Sequence, residues 1–239
     1  RANSLANQGI ASSLGTGAGA STISLNTGTL IYTGAGGSTD RALFVNGASS
    51  LVNDGAGALT LGGAIVFNPA NPGDTFTLGG GGCSFTGVSE VSGVISGNGS
   101  LVKSGSNSWL ISGANTYVGT TTVNAGTLQA GSDQAFGAPN ALVVNGGTLD
   151  LNGHDIEAIS LAGTGGSVAL NGGDLTVNGT ASSSYAGSIT GTGGLTKRGT
   201  STLTLTGANS YSGATTVNAG TLILAFSASG APTSNILSS

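Results

Sequence analysis

Apolar and polar residues alternate along most of this chain in short runs that end at glycine or at Asn-Gly. The stretches STLTLTG (201–207), LVVNGGTLDLNG (142–153) and ALTLGGAIVF (58–67) show the pattern most clearly. A period of two is typical of half-buried β-strands. Gly and Asn interrupt the windows in which an apolar helical stripe could develop. The pattern predicts an all-β fold with almost no helix.

One six-residue stretch recurs at widely separated places. VNAGTL occupies 123–128 and 217–222, with near-copies LNTGTL (25–30), VNGGTL (144–149) and LNGGDL (170–175). Successive starts differ by 98, 21, 26 and 47 residues, close to four, one, one and two units of roughly 23. A hairpin meander would also contain Asn-Gly turns, but it gives no reason for one turn to recur at coil-sized intervals. We therefore predict a parallel β-helix (β-solenoid) of about ten coils of roughly 23 residues.

A longer duplication lies on top of this period. Residues 93–130 align without gaps to residues 187–224 at a constant offset of 94. Lys103 matches Lys197, and residues 121–128 match 215–222 at every position. An offset of 94 is about four coils of the predicted length. We expect one solenoid domain over 1–225, followed by a polar tail or a capping or assembly segment at 226–239.

In such a coil the hexapeptide forms a corner. Val123 and Leu128 would point into the core, and the residues between them would turn the chain. Asn and Gly tolerate left-handed backbone angles, and Asn side chains on stacked coils can form amide ladders. We predict structural corners at ten residues: Asn26, Gly28, Asn124, Gly126, Asn145, Gly147, Asn171, Gly173, Asn218 and Gly220.

Composition removes several classes of function. The 239 residues include 46 glycines, only 6% charged residues, five basic residues and a net charge of −4. So few basic residues cannot build a nucleic-acid-binding surface, and we expect no nucleic-acid partner. No apolar stretch approaches the ~20 residues of a membrane-spanning helix. Cys83 is the only cysteine, which excludes an intrachain disulfide, and we interpret it as a small apolar residue.

Candidate chemistry is sparse. His154, Asp155 and Glu157 form the densest ionisable cluster, with His154 on the opposite strand face, and we interpret them as a solvated corner rather than a site. Asp150 and Asp174 are one coil apart and could stack as the carboxylate pair of a polysaccharide-active enzyme. GGDLTVNG (172–179) contains one Asp without the tandem pattern of a calcium-binding nonapeptide. We predict no metal and no cofactor.

Aromatic residues offer a second, weaker hypothesis. Tyr117 and Tyr211 occupy matching positions six residues before the two VNAGTL copies. The interpretation that we prefer is a pair of surface or corner aromatics, and the alternative is a sugar-stacking site.

The stretch GLTKRGTSTLTLTGANSYSGATTVNAGTL (194–222) resembles the passenger-associated repeat of bacterial autotransporters, also called the autotransporter-associated β-strand repeat. The copy at 99–128 departs modestly, with Trp109 where Leu203 stands, and 142–170 is also similar to passenger sequence. The resemblance implies a right-handed parallel β-helix exposed at, or released from, a Gram-negative cell surface.

The predicted function is therefore non-enzymatic. It is a secreted or cell-surface passenger or stalk segment that serves adhesion, self-association or biofilm and matrix interaction. Its partners would be a host, matrix or sister-cell surface, or further copies of itself. Two alternatives stay open: a subunit of an extracellular fibre that stacks head-to-tail through unpaired end strands, and a polysaccharide-active β-helix enzyme.

Overall fold

A computed structural model describes residues 1–15, 22–81 and 87–225. Within these ranges the chain contains no helix and forms 26 short strands, all paired in parallel. The strands are β1 (Ile23–Asn26), β2 (Thr29–Tyr32), β3 (Gly37–Thr39), β4 (Leu43–Asn46), β5 (Ala48–Asn53), β6 (Leu59–Leu61), β7 (Ile65–Phe67), β8 (Thr75–Gly79), β9 (Val88–Val91), β10 (Ile95–Ser96), β11 (Ser100–Lys103), β12 (Ser108–Ile111), β13 (Thr121–Val123), β14 (Thr127–Ala130), β15 (Ala141–Val144), β16 (Thr148–Asp150), β17 (Ile156–Ala158), β18 (Ser160–Ala162), β19 (Ser167–Ala169), β20 (Leu175–Asn178), β21 (Ser183–Tyr185), β22 (Ser188–Thr190), β23 (Leu195–Arg198), β24 (Thr202–Leu205), β25 (Thr215–Val217) and β26 (Thr221–Leu224).

The strands stack into three faces of a β-solenoid of about ten coils. Face I joins the seven-stranded sheet β2-β5-β8-β11-β13-β15-β18 to the sheet β21-β24-β26 through a bridge between Gly163 and Tyr185. Face II is the eight-stranded sheet β3-β6-β9-β12-β14-β16-β19-β22. Face III consists of the sheets β1-β4-β7-β10 and β17-β20-β23-β25. The predicted β-solenoid is confirmed.

Register pairs show that the coils differ in length. The coil from Leu149 to its partner Val168 is short, because only short connections join its strands. The coil from Ile65 to its partner Ile95 is much longer, because long connections precede β8 and β9. Position in the sequence therefore does not by itself give the face on which a residue lies.

The core is one continuous column of inward-facing side chains. On face I, Leu51 pairs with Leu78, Leu78 with Lys103 and Lys103 with Val123, and all four side chains are buried. Trp109 is fully buried on face II, where its indole Nε1 donates to the carbonyl of Gly79 at 3.4 Å. Each coil thus covers the apolar side chains of its neighbours.

Two predictions concern residues outside the described ranges. Cys83 and the segment 226–239 both lie there, so the interpretation of Cys83 and the assignment of a tail or capping segment stay predictions. The single domain over 1–225 and the right-handed sense of the coil also stay predictions.

Candidate functional site: the repeat modules and the solenoid faces

The first duplicated stretch holds a buried lysine beneath its VNAGTL corner. Lys103 follows Leu101 on the inward side of β11, and its side chain is fully buried. Its Nζ donates to the carbonyl oxygens of Ser104 at 2.5 Å, Gly105 at 2.8 Å and Ala125 at 3.2 Å. Ala125 is the third residue of VNAGTL. Because these acceptors are carbonyls rather than carboxylates, desolvation lowers the pKa of Lys103 from 10.5 to about 8.

The corner requires glycine at residue 126 because of its backbone conformation and the atoms that surround it. Gly126 has φ of 67°, in the left-handed region that favours glycine. A Cβ at this position would lie 2.7 Å from the Lys103 Nζ and would also meet the carbonyl oxygens of Gly105 and Asn107. The corner therefore closes over the lysine only because residue 126 has no side chain.

The second copy repeats the arrangement. Lys197 is fully buried, and its Nζ donates to the carbonyl oxygens of Arg198 and, at 3.1 Å, Gly199. Burial lowers the pKa of this lysine as well. Gly220 has φ of 70°, and a Cβ there would lie 3.0 Å from the Lys197 Nζ. The identical hexapeptide thus accompanies an identical buried cation.

A buried asparagine joins successive coils in each copy. The Ile95 amide donates to Asn115 Oδ1 at 2.7 Å, and Asn115 Nδ2 donates to the Ala135 carbonyl at 2.6 Å, so Asn115 bridges the coil before and the coil after. In the second copy the Ile189 amide donates to Asn209 Oδ1 at 2.9 Å. These side chains replace main-chain bonds where the coil has no strand.

Two tyrosines complete the arrangement. Tyr117 and Tyr211 are buried, and each hydroxyl shares a 2.6 Å hydrogen bond with the hydroxyl of Thr121 or Thr215. Desolvation raises the pKa of both phenols. The prediction of surface aromatics is wrong, and so is the sugar-stacking alternative, because both rings lie in the core. We call each set a repeat module: Lys103, Asn115, Tyr117 and 123–128; Lys197, Asn209, Tyr211 and 217–222.

The two modules begin on different faces of the solenoid. Leu101 lies on face I, and its register successors on that face are Thr121, Leu142 and Leu161. Leu195, which matches Leu101 in the duplication, lies on face III. The offset between the copies is therefore not a whole number of coils, and that prediction is wrong. The coils between the two modules are shorter than predicted, so the 94 residues of the offset make more than four full turns.

The five hexapeptides occupy all three kinds of corner. Residues 123–128 and 144–149 both join face I to face II, whereas 170–175 joins face II to face III. Residues 25–30 and 217–222 join face III to face I. Their recurrence therefore does not count coils, contrary to the interpretation from spacing. The hexapeptide therefore forms a turn at any of the three kinds of corner.

The predicted corner residues differ in backbone conformation. Gly126, Gly147 and Gly220 have φ of 66° to 70°, but at 170–175 the left-handed residues are Asn171 (49°) and Gly172 (100°). At 25–30 the left-handed residue is Thr27, with φ of 54°, rather than Asn26 or Gly28. The remaining predicted corner residues adopt other backbone angles: Asn124, Asn145, Gly173 and Asn218.

Amide ladders form where corners stack directly. Asn145 Nδ2 donates to Asn124 Oδ1 at 3.0 Å. A second ladder runs from Asn68 through Asn46 to Asn26, with distances of 2.9 and 3.2 Å. The contribution of these asparagines is therefore mainly a side-chain hydrogen bond along the solenoid axis.

The carboxylate pair of the enzyme hypothesis is not formed. Asp150 pairs in register with Ala169, so Asp174 does not stack on it. Asp174 follows Asp155 along one corner instead, where the Asp155 Oδ1 accepts from the Asp174 amide at 2.8 Å. The Asp174 Oδ1 in turn accepts from the Gly194 amide at 2.6 Å. Both carboxylates are engaged with backbone amides of the following coil.

The histidine cluster borders a shallow groove on face III. His154 Nδ1 lies 2.9 Å from Asp133 Oδ1, one coil earlier, and both side chains are partly exposed. The groove has a volume of about 380 Å³. Its polar lining includes Asp133, Asp155, Glu157, Asn115 and Gln134. Within the described ranges no group of three or more His, Cys, Asp or Glu side chains could hold a metal ion.

Ionisable side chains are distributed unevenly over the faces. A central outward row runs along face I, one residue per strand, and no ionisable residue belongs to it: Thr29, Ser50, Thr77, Val102, Thr122, Val143, Ala162, Ser184, Thr204 and Ile223. We call these ten residues the face I row. Face II carries Glu90 and Asp150 on its strands, and face III carries Glu157 and Arg198.

The passenger-associated-transport-repeat family matches this chain at residues 101–130 and 195–224. The chain is also similar to the protein named Adhesin BmaC autotransporter from Brucella suis biovar 1 (strain 1330), with 50% identity over 167 residues. This chain is an autotransporter passenger segment. The aligned region covers 69% of the chain but only 5% of the relative, so the segment corresponds to a small part of such a protein. No solved structure matches it.

The family match coincides with the repeat modules. Each matched stretch begins at the inward leucine, Leu101 or Leu195, and ends two residues after the VNAGTL corner. Passenger domains lie at the bacterial cell surface or outside the cell, which is where this segment functions. Among the described residues, no helix is long and apolar enough to cross a membrane.

Sequence reasoning missed the buried lysines, although a signal was present. Lys103 is two residues after Leu101 in the alternating run SLVK, so strand parity already places it on the inward side. The residue type suggested the surface, since lysine is rarely fully buried. Lys103 points inward, as strand parity indicates, because carbonyl oxygens such as that of Ala125 in the next corner accept hydrogen bonds from its Nζ.

Proposed function

We propose that this segment is a non-catalytic stalk and adhesive surface of an autotransporter passenger, which contacts host cells, extracellular matrix or sister cells. The observation that carries the proposal is the uncharged face I row, which presents a regular hydroxyl and methyl surface along the coils. The 50% identity to a protein named as an adhesin supports it. A rigid solenoid suits this role because stacked coils extend the surface by about 4.8 Å each.

The arrangement of Asp150, Asp155 and Asp174 supports a role without catalysis. The carboxylates of Asp155 and Asp174 each accept a hydrogen bond from a backbone amide along one corner, and Asp150 lies at another corner. These three carboxylates therefore do not face each other across a cleft. Turnover of an acidic or neutral polysaccharide by the purified chain, lost on Asp155→Asn, would contradict the non-enzymatic part of the proposal.

Adhesion is tested with beads that carry the 239-residue chain. We expect these beads to be retained on wells coated with extracellular-matrix proteins or on cultured epithelial cells, at least several-fold above albumin-coated wells. Beads that carry the heat-denatured chain serve as the control, because they present the same composition without the faces. Equal retention on matrix, cells and albumin would refute the adhesive role.

Head-to-tail fibre formation stays the second candidate. The last described strand, β26, has one unpaired edge within the described ranges, but residues 226–239 follow it and are outside them. Electron microscopy of the purified chain tests this candidate, and monodisperse monomers at high concentration would refute it.

A further inference from the structure

We propose that face I is a self-association surface, on which face I of a second copy of this chain packs sheet against sheet around a two-fold axis. The inference deepens the proposed adhesive function and rests on it, since it names one partner and one surface. The arguments for it are the charge distribution, the side-chain size and the area of this face.

Charge selects face I over the other two faces. The chain has a net charge of −4, and its strand carboxylates lie outward on face II (Glu90, Asp150) and face III (Glu157). A two-fold pairing of face II would bring carboxylates of both copies toward each other, and a pairing of face III would desolvate the charged Glu157 and Arg198, so both pairings are costly. Within the strands of face I the charged side chain is Lys103, and it points into the core. The outward positions of the face I strands therefore carry no charged side chain.

Side-chain size permits close approach. The face I row contains Thr, Ser, Val, Ala and Ile, and its central members Thr77, Val102 and Thr122 are half-buried by their neighbours. Small β-branched side chains at a regular spacing let two sheets approach to about 10 Å with interdigitated methyl groups. The hydroxyls of Thr77 and Thr122 keep hydrogen-bonding capacity at the seam.

The area of the face matches a dimer of modest stability. Ten strands at about 4.8 Å spacing give a length near 45 Å, and four residues per strand give a width of about 13 Å. The two copies would together bury about 1,200 Å², which is the lower end of specific protein interfaces. We therefore expect reversible association in the micromolar range rather than an obligate dimer.

Sedimentation velocity of the full chain between about 1 and 200 μM tests the surface directly. The disrupting variant is T77K/T122K, which places two lysines on face I two coils apart, opposite the lysines of the second copy. The matched control is T176K/T216K, which adds the same charge to outward threonines of face III, also two coils apart. Circular dichroism and thermal melting establish that both variants keep the fold.

We expect the unmodified chain and T176K/T216K to form dimers with similar dissociation constants, and T77K/T122K to associate at least tenfold more weakly. The inference is overturned if the unmodified chain stays monomeric at the highest concentration, or if T77K/T122K dimerises as well as the control. The bead assay separates this result from the proposed function. A monomeric chain that still adheres to matrix refutes self-association alone, whereas a dimer that does not adhere refutes the adhesive role.

Discussion

The crowded, left-handed backbone at Gly126 in the VNAGTL corner predicts a large effect of a single methyl group. Gly126→Ala places a Cβ 2.7 Å from the Lys103 Nζ, and that Cβ also meets the carbonyl oxygens of Gly105 and Asn107. The φ of 67° adds a second penalty, because alanine pays about 1–2 kcal/mol in the left-handed region. Overpacking against backbone atoms costs about 1–3 kcal/mol more. We expect a total loss of about 3 kcal/mol in the free energy of unfolding.

The chain offers a matched control at the same position of another hexapeptide. Gly28 is the fourth residue of LNTGTL, as Gly126 is of VNAGTL, but a Cβ on Gly28 would meet only the Asn26 carbonyl oxygen at 3.9 Å. Its φ lies outside the left-handed region, which Thr27 occupies instead. Gly28→Ala should therefore change stability by less than about 1 kcal/mol, with a gain favoured by the lower entropy of the unfolded chain.

Hydrogen exchange gives the sharper measurement, because stability in a solenoid is a sum over neighbouring coils and unfolding need not be two-state. For Gly126→Ala we expect faster exchange of amides in 121–130 and a melting midpoint lower by roughly 6–12 °C for a loss of about 3 kcal/mol. Gly28→Ala should leave both measurements nearly unchanged. Equal destabilisation by the two substitutions would refute the proposed requirement for glycine at the crowded, left-handed position 126.

Four further predictions concern the buried lysine and tyrosines, the Asn115 bridge and the face III cluster. Because the folded pKa of Lys103 is about 8 and the unfolded value is 10.5, the free energy of unfolding should rise between these pH values in urea titrations, and this rise should shrink in Lys103→Met. Above about pH 10 the free energy of unfolding should fall, because these phenols ionise only in the unfolded chain. Burial raises the pKa of three of them in the folded chain: Tyr117, Tyr185 and Tyr211. Asn115→Asp removes the donor to the Ala135 carbonyl and should cost about 2 kcal/mol, with loss of exchange protection on both sides of 113–120. Asp133→Ala breaks only the exposed pair with His154, so a stability change above about 1 kcal/mol would contradict this view of the cluster.

The placement of the hexapeptides shows where sequence reasoning stopped. Short apolar-polar alternation is a local property, and the recurrence of VNAGTL at coil-sized distances is visible in the sequence. The face on which a residue lies, however, depends on the summed lengths of all preceding coils. Coils as different as the long one from Ile65 to Ile95 and the short one from Leu149 to Val168 are enough to move a matching residue to another face. A single repeat length could not resolve this.

The sequence by itself determined the class of fold, because period-two alternation, frequent glycine and a repeating corner are compatible with few architectures other than a β-solenoid. Strand parity even encoded the inward direction of Lys103. The tertiary structure decided which carbonyls meet that lysine, which faces hold the two modules, and that face I presents an uncharged row. These features arise between residues of successive coils, such as Val102 and Thr122, so they depend on the register of stacking rather than on any local run of residues.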